Sequence, residues 1–229
     1  MIIKGLQKLT LLDYPEKTAC TVFTGGCNFR CPFCHNASLV TRLNSEEINE
    51  DDFFSFLKKR KNVLQGVCIT GGEPTLMPDL PDFICKIKEL GYLVKLDSNG
   101  YRPEILKQLV NDGLIDYIAM DIKNSESKYS LTAGVPDLNI DKIKESIDFI
   151  INSEIDYEFR TTVVKELHSP QDIEDIGLLI KNSKKYFLQS FIDSGDLINT
   201  GYSAYTKEEM QQLLEIATQK VTKNAYLRG

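Results

Sequence analysis

The sequence lacks any apolar run that approaches the length of a membrane span, and its first residues do not follow the charged-then-apolar plan of a signal peptide. It also lacks a basic excess, since 27 basic residues stand against 33 acidic ones for a formal net charge of −6. These absences argue against a membrane protein and against electrostatic capture of a nucleic-acid backbone. We therefore expect a cytoplasmic protein that binds neither membrane nor nucleic acid.

The sequence also contains no internal repeat, no low-complexity tract and no linker-like stretch. Its 229 residues, of which 42% are apolar, supply enough side chains for one sizeable hydrophobic core. We therefore expect residues 1–229 to form a single domain.

Apolar, β-branched runs alternate with helical patterns along the chain, which predicts an α/β fold with parallel strands joined by right-handed crossovers. Periodicity leaves open whether the sheet is doubly wound or barrel-like. Three helix starts carry an N-capping oxygen followed by a polar partner: Asn44 with Glu47, Ser169 with Asp172, and Thr206 with Glu209. The predicted strands are 18–24, 66–70, 92–96, 115–121, 157–164 and 185–190, and the predicted helices are 44–60, 79–90, 103–112, 139–152, 170–182 and 206–223.

Unusual residues collect where four consecutive predicted strands end, and in such folds the carboxyl ends of the strands carry the chemistry. These positions are 25–27, 70–74, 97–100 and 121–123. The longest irregular segment, 191–204, follows the sixth predicted strand and is a candidate substrate-facing loop.

Three cysteines fall within eight residues, at Cys27, Cys31 and Cys34. Cysteine thiolates hold iron-sulfur clusters, usually four to a cluster. The remaining three cysteines stand singly in apolar surroundings, where they are expected to pack as small hydrophobic residues. The spacing therefore predicts a cluster with one iron that no protein thiolate binds, so that a substrate can bind there. The three expected core cysteines are Cys20, Cys68 and Cys85.

Zinc is the alternative metal, because three thiolates and His35 would complete a tetrahedral structural site. A histidine directly after Cys34 would have to fold back onto the same ion, whereas zinc sites usually separate their ligand pairs. The spacing therefore favours iron. The only other histidine, His168, precedes a capped helix and is expected at the surface.

The spacing Cys27-x3-Cys31-x2-Cys34, followed at the next strand end by Gly71-Gly72-Glu73-Pro74, resembles the radical S-adenosylmethionine (SAM) superfamily. Within it, the segments Thr10–Pro15 and Val22–Asn36 look like the anaerobic ribonucleoside-triphosphate reductase activating proteins, close relatives of pyruvate formate-lyase activating enzyme. The similarity continues through 97–100, 120–123 and 160–163 to the final Leu-Arg-Gly, and so covers nearly the whole chain.

The resemblance implies a partial (β/α)6 barrel of the TIM-like, radical SAM type. It also implies that a reduced 4Fe-4S cluster cleaves SAM to a 5′-deoxyadenosyl radical, which takes a hydrogen atom from a glycine of a partner glycyl radical enzyme. Anaerobic ribonucleotide reductase is the expected partner, and a reduced flavodoxin- or ferredoxin-type protein is the expected electron donor.

The resemblance also implies roles for individual residues. Cys27, Cys31 and Cys34 would bind three irons, and the amino and carboxylate groups of SAM would bind the fourth. Backbone around Phe33 would lie near the adenine, and Gly71, Gly72, Glu73 and Pro74 near the amino group. Asp97, Ser98 and Asp121, with Asn99 in the same motif, resemble positions around a monovalent cation beside the SAM carboxylate, which Lys123 would contact. Arg160, on the fifth predicted strand, would reach that carboxylate or the backbone of the partner.

Each of these motifs also has a purely structural interpretation. Residues 71–74 and 97–100 are rich in turn-forming types, and Asp121 could simply cap the following segment. Two carboxylates at neighbouring strand ends, Asp97 and Asp121, would repel each other unless something positive lies close to them.

One departure from the family pattern reduces the number of candidate functions, because it excludes the activating enzymes that carry an insert. About ten residues separate Cys34 from the first predicted helix, which leaves no room for the ferredoxin-like insert that many activating enzymes carry. The function predicted is activation of anaerobic ribonucleotide reductase. The alternatives are a pyruvate formate-lyase activase, a radical SAM enzyme acting on a small molecule, as in 7-carboxy-7-deazaguanine synthesis, and a non-catalytic metal-stabilised binding module.

Overall fold

The structure is a computed structural model that describes residues 1–41 and 46–229. Strands and helices alternate along most of it. The strands are β1 Ile3–Thr10, β2 Ala19–Thr24, β3 Gly66–Gly71, β4 Leu93–Ser98, β5 Tyr117–Asp121, β6 Asp156–Val163, β7 Tyr186–Ser190 and β8 Ala225–Arg228. The α-helices are α1 Ala37–Thr41, α2 Glu50–Lys59, α3 Leu80–Glu89, α4 Pro103–Asn111, α5 Tyr129–Ala133, α6 Ile140–Asn152, α7 Pro170–Ile180 and α8 Lys207–Lys220.

The chain forms two compact units, each with its own strands. The first unit contains β1 to β4 and the start of β5, and the second contains the end of β5 and β6 to β8. The prediction of a single domain stays a prediction. The first unit comprises residues 1–28, 38–98 and 104–118, and the second comprises 29–37, 99–103 and 119–229.

In the first unit, strand order follows chain order. β1 pairs antiparallel with β2, whereas β2, β3 and β4 are parallel, with Thr21 opposite Cys68 and Cys68 opposite Lys95. β2 and β3 are buried along most of their length because helices cover parallel sheets. Sequence analysis missed β1, whose middle is exposed and polar as is typical of an edge strand.

In the second unit, β6, β7 and β8 are parallel, with Arg160 opposite Phe187 and Phe187 opposite Tyr226. β8 has only four residues and an exposed middle, so its sequence carries too little pattern to predict a strand. Arg228 at its end binds the buried Glu158 carboxylate through two nitrogens, at 2.7 and 3.1 Å. That pair anchors the last strand to β6.

The structure confirms the six predicted strands and the α/β fold with parallel strands. The six predicted helices are present as α2, α3, α4, α6, α7 and α8, and the short helices α1 and α5 were not predicted. The predicted start of the first long helix is wrong: α2 begins at Glu50, because the Asn49 side chain accepts a 2.7 Å hydrogen bond from the Asp51 N–H. The proposed cap Asn44 lies outside the described residues.

The other two predicted caps are confirmed. Ser169 and Asp172 form a reciprocal capping box at α7, and Thr206 and Glu209 form one at α8. Among the residues described, no helix combines the length and the apolar character needed to cross a bilayer.

Candidate active site

Residues 27–34, which we call the cysteine loop, follow β2 and precede α1. Cys31 is buried, Cys27 and Cys34 are partly exposed, and none of the six cysteines, all of which lie among the described residues, forms a disulfide. The Cys34 N–H donates to the Cys31 carbonyl at 3.0 Å, so the second half of the loop is a tight turn. The chain passes from the first unit to the second within this loop, after Asn28.

Within the described residues, no three or more His, Cys, Asp or Glu side chains form a group arranged to hold one metal ion. Cysteine thiolates are the usual ligands of iron-sulfur clusters. The donor chemistry of the cysteine loop fits a cluster. The assignment of Cys27, Cys31 and Cys34 as its ligands stays a prediction.

The end of α5 packs against the cysteine loop inside the second unit. The Arg30 N–H donates to the Ala133 carbonyl at 2.9 Å, and the Cys31 Sγ lies 3.8 Å from the same oxygen. Gly134 follows with φ +66°, and a Cβ on it would lie 2.1 Å from the Arg30 carbonyl oxygen. Only glycine allows this approach, so the α5 terminus fixes the backbone around Cys31.

The irregular 191–204 segment also contacts the cysteine loop and the residues just after it. The Asn199 N–H donates to the Pro32 carbonyl at 2.9 Å, and the Ala37 N–H donates to the Asp196 carbonyl at 3.3 Å. The Phe191 ring stacks on the His35 ring, with centroids 5.4 Å apart. The structure confirms that the segment is irregular, and its predicted role in facing a substrate remains a proposal.

His35 is held in the second unit with one ring nitrogen buried. Its Nε2 has no hydrogen-bond partner among the described residues. Burial lowers the pKa of this imidazole, and the nearby Lys123 charge acts in the same direction. His35 is therefore neutral at pH 7.

In the first unit, the Gly71–Pro74 motif packs directly on the backbone that leads into the cysteine loop. The Glu73 N–H donates to the Gly26 carbonyl at 2.8 Å, and the Gly72 N–H donates to the Thr24 carbonyl at 3.0 Å. A Cβ on Gly72 would lie 1.8 Å from the Gly26 carbonyl oxygen. The second glycine is thus needed for backbone packing inside the protein.

The Glu73 side chain is buried and held by its own unit. Its Oε1 accepts hydrogen bonds from the Ser98 hydroxyl at 2.8 Å, the Thr75 hydroxyl at 2.6 Å and the Thr75 N–H at 3.2 Å. Glu73 thereby caps a short 3-10 turn that begins at Pro74. These hydrogen bonds fix the position of the carboxylate, as a ligand-binding acceptor requires. They also bring two predicted site residues, Glu73 and Ser98, into direct contact.

Asp97 lies at the end of β4 and is ion-paired with Lys95, two residues earlier on the same strand. The Lys95 side chain is buried, and its Nζ lies 3.8 Å from the Cys68 Sγ on β3. Sequence analysis did not identify Lys95 as part of the site. Its only signal in the sequence is a lysine among the apolar residues of the predicted strand 92–96.

In the second unit, Asp121, Lys123 and Arg160 form one charged group. The Asp121 carboxylate accepts from Lys123 Nζ at 3.0 Å and from Arg160 Nε at 3.0 Å. Burial alone would raise the pKa of Asp121, but the Arg160 and Lys123 charges outweigh it and hold that pKa well below its ordinary value. The structure thus brings together three of the predicted residues, with two positive charges on one carboxylate.

The same charged group affects the pKa of the buried Cys31. Burial raises the pKa of Cys31 to about 11, while the Lys123 charge acts to lower it. Cys31 without a metal is therefore a protonated thiol at neutral pH, and ligation must release its proton.

The prediction that His168 lies at the surface is wrong, because the side chain is fully buried. Its Nδ1 accepts from the Val164 N–H at 3.1 Å, and its Nε2 therefore carries the proton that it shares with the Lys123 carbonyl at 2.8 Å. Burial lowers the pKa of this imidazole. His168 holds the backbone that follows β5 against the end of β6.

The remaining predicted residues have local structural roles. The Phe33 ring is buried edge-on against His168, with centroids 6.4 Å apart. The Asn99 Oδ1 accepts from the Tyr101 N–H at 3.0 Å, which makes part of the 97–100 motif an ordinary turn. Cys20 and Cys68 are buried as expected, but the expectation for Cys85 is wrong, because it lies on the exposed side of α3.

Comparison with known proteins identifies the family. A family model described as the radical SAM superfamily matches residues 21–180. A Methanocaldococcus jannaschii protein named as a glycyl-radical enzyme activating enzyme is 34% identical over 198 residues, covering 83% of this chain and 80% of that protein. The pyruvate formate-lyase-activating enzyme of Clostridium pasteurianum is 27% identical over 191 residues, covering 79% and 76%.

Among solved structures, SuiB of Streptococcus suis bound to S-adenosylmethionine matches with a TM-score of 0.70 at 19% identity. The match covers 90% of this chain but 49% of SuiB, so this chain spans about half the length of that protein. At this identity the likeness shows the fold, which is the radical SAM fold expected from the sequence.

Membership in an enzyme superfamily identifies iron as the metal. It also excludes the alternative of a non-catalytic binding module. Radical SAM enzymes use a 4Fe-4S cluster and SAM, so these are the cofactors of this protein and zinc is not. Because the family model matches most of its length and a relative is 34% identical to it, the chain belongs to the radical SAM superfamily of enzymes, in the family of glycyl-radical enzyme activating enzymes.

Proposed function

We propose that this protein activates anaerobic ribonucleotide reductase by removing a hydrogen atom from a glycine of that partner. The observation that carries the activase function is the 34% identity to a glycyl-radical enzyme activating enzyme across four-fifths of both chains. The choice of partner rests on the resemblance of residues 10–15 and 22–36 to the activating proteins of that reductase. The second candidate partner is pyruvate formate-lyase, which the 27% identical relative favours.

Cys27, Cys31 and Cys34 would hold three irons of the cluster, and the amino and carboxylate groups of SAM would bind the fourth. When bound, the cluster and SAM together supply the one-electron chemistry that removes the hydrogen atom, since such chemistry belongs to the cofactor. The reduced flavodoxin- or ferredoxin-type donor and the cytoplasmic location are part of the same proposal.

The charged residues of the second unit are suited to an anionic group of SAM. Lys123 and Arg160 carry two positive charges and share one carboxylate, Asp121, so the three side chains have a net charge of +1. A carboxylate would be attracted to that net positive charge. His168 fixes the Lys123 backbone through its Nε2.

The residues of the first unit are suited to positioning a ligand. Gly71 and Gly72 carry no side chains and let the end of β3 approach the backbone at Thr24 and Gly26. Glu73, held by Ser98 and Thr75, offers a fixed carboxylate for an amino group. Backbone around Phe33, whose ring is buried in the second unit, would lie near the adenine.

The test is electron paramagnetic resonance on anaerobically reconstituted protein mixed with SAM, a reductant and the purified reductase. We expect a glycyl radical signal and release of 5′-deoxyadenosine. The reductase with its radical glycine replaced by alanine is the control and should give no signal. Pyruvate formate-lyase, tested in parallel, decides between the two partners.

Two results would contradict the proposal. SAM cleavage without a radical on either protein would remove the activase function. A rearranged small product formed in the absence of any protein partner would support the small-molecule alternative instead.

A further inference from the structure

Three polar side chains lie together on one face of the β3–β4 pair in the first unit. Lys95 and Asp97 are two residues apart on β4 and so point to the same face, and Cys68 is opposite Lys95 in the parallel register. The Cys68 Sγ lies 3.8 Å from Lys95 Nζ and 3.7 Å from an Asp97 carboxylate oxygen. The strand register itself brings these groups together.

The Lys95 ammonium is almost completely removed from water. Its side chain is 1% exposed, and that of its partner Asp97 is 12% exposed. A buried ammonium is very unfavourable unless an opposite charge contacts it, and here the direct ion pair with Asp97 satisfies that need. Each charge of the pair therefore stabilises the other at this buried position.

This pairing changes what Asp97 can bind. The resemblance implied a monovalent cation near Asp97 and Asp121, and two carboxylates would attract one. Here the Asp97 carboxylate oxygen is already in contact with a full positive charge of the protein, and a second cation at the same oxygen would be repelled by it. In the other unit, Asp121 is likewise neutralised by Lys123 and Arg160. The residues present therefore do not fit a cation that depends on Asp97.

We propose that the Lys95 ammonium is a built-in cation at the end of β4, so that this protein binds SAM without an alkali cation. Lys95 is a positioning residue that acts through Asp97. The inference rests on the proposed function in that SAM is taken as the ligand.

The first test needs no variant. SAM binding to the reconstituted protein is titrated in potassium chloride, in sodium chloride and in choline chloride at equal ionic strength. We expect the three affinities to agree within about twofold. A cation coupled to SAM would change the affinity by about fivefold or more, and such a loss in choline chloride would overturn the proposal.

The second test replaces the ammonium. Lys95→Met keeps most of the side-chain volume but removes the ammonium that contacts Asp97, so the variant should acquire an affinity for potassium or thallium(I). We expect SAM affinity and melting temperature to become dependent on potassium, and thallium(I) NMR to show a bound ion that the wild type does not hold. Lys88→Met is the matched control, because it breaks a partly exposed Lys–Asp pair with Asp116 in the same unit.

The outcomes separate this inference from the proposed function. If neither the wild type nor Lys95→Met responds to potassium, Lys95 does not stand in for a cation and the inference fails. If Lys95→Met does not fold, the wild-type comparison and Lys95→Arg, which should stay independent of alkali ions, still decide. Thallium(I) binding does not require radical formation, so it can succeed or fail whether or not a glycyl radical appears.

Discussion

His168 shows how a single residue can connect two parts of the site that are far apart in sequence. It is fully buried, and its two ring nitrogens bond to backbone atoms at Val164 and Lys123. Its own carbonyl accepts a 2.6 Å hydrogen bond from the Tyr205 hydroxyl. The position of Lys123, and with it the charge next to Asp121, therefore depends on an imidazole that carries no charge at pH 7.

Replacing this imidazole by a ring without nitrogens should be costly. We expect His168→Phe to lower the free energy of unfolding by about 1–3 kcal/mol, because two buried backbone groups lose their partners. SAM affinity should fall as well, since Lys123 loses its support. Urea unfolding and SAM titration measure the two effects. Tyr205→Phe, which removes one hydroxyl and keeps the imidazole, should change both less; equal losses in the two variants would contradict this role.

At the scale of elements, the short helix α5 determines the shape of the cysteine loop. Its last residue, Ala133, accepts the Arg30 N–H, and Gly134 allows the two backbones to approach. A five-residue helix would not be stable alone, so its contribution depends on tertiary contacts.

Two glycines with the same φ distinguish the effect of this contact from the strain of the left-handed conformation. Gly134 and Gly113 both have φ +66°, but a Cβ on Gly113 would meet nothing within 4 Å. Alanine at either position should cost about 1–2 kcal/mol for the left-handed conformation. Gly134→Ala should cost about 1–3 kcal/mol more through the clash with Arg30 and should also lower iron incorporation. Equal stability and equal iron content in the two variants would show that α5 does not shape the loop.

The first turn of α7 should make stability depend on pH. Burial alone would raise the pKa of Asp172, but hydrogen bonds from Lys128 and Ser169 outweigh it and hold that pKa below its ordinary value. Such a carboxyl stabilises the fold fully above its unfolded pKa of about 3.9, and this contribution is lost as the pH falls towards the folded value.

Asp172→Asn keeps an acceptor at the cap but removes the charge. We expect it to destabilise the fold by about 1–3 kcal/mol at pH 7, and the difference from the wild type should shrink as the pH falls below about 4. Denaturant unfolding across that pH range tests this. Glu209→Gln, at the equivalent but exposed position of α8, should cost less; a difference for Asp172→Asn that stays constant with pH would refute the assignment.

For the molecule as a whole, sequence patterns predicted the strands that are buried. They missed the strands whose residues are largely exposed. The six buried strands could be predicted because apolar runs such as 66–70 have no other stable environment. β1 and β8 were missed because their exposed residues lack that pattern.

The same distinction holds in the site. The cysteine spacing and the Gly71–Pro74 motif could be found because both are short and local. The burial of His168, the support of Cys31 by α5 and the pairing of Lys95 with Asp97 could not, because each depends on which side chains the packing brings together. An alternating pattern cannot specify that the single lysine of β4 points inward.

The most direct measurement of the central claim is the iron and sulfide content of anaerobically reconstituted single Cys→Ser variants. The claim is that three thiols hold a cluster with one iron left for SAM. The account predicts about four irons per chain in the wild type and in Cys20→Ser, Cys68→Ser and Cys85→Ser. It predicts a strong loss of iron in Cys27→Ser, Cys31→Ser and Cys34→Ser. Full iron content in any of these three, or zinc in place of iron, would contradict it.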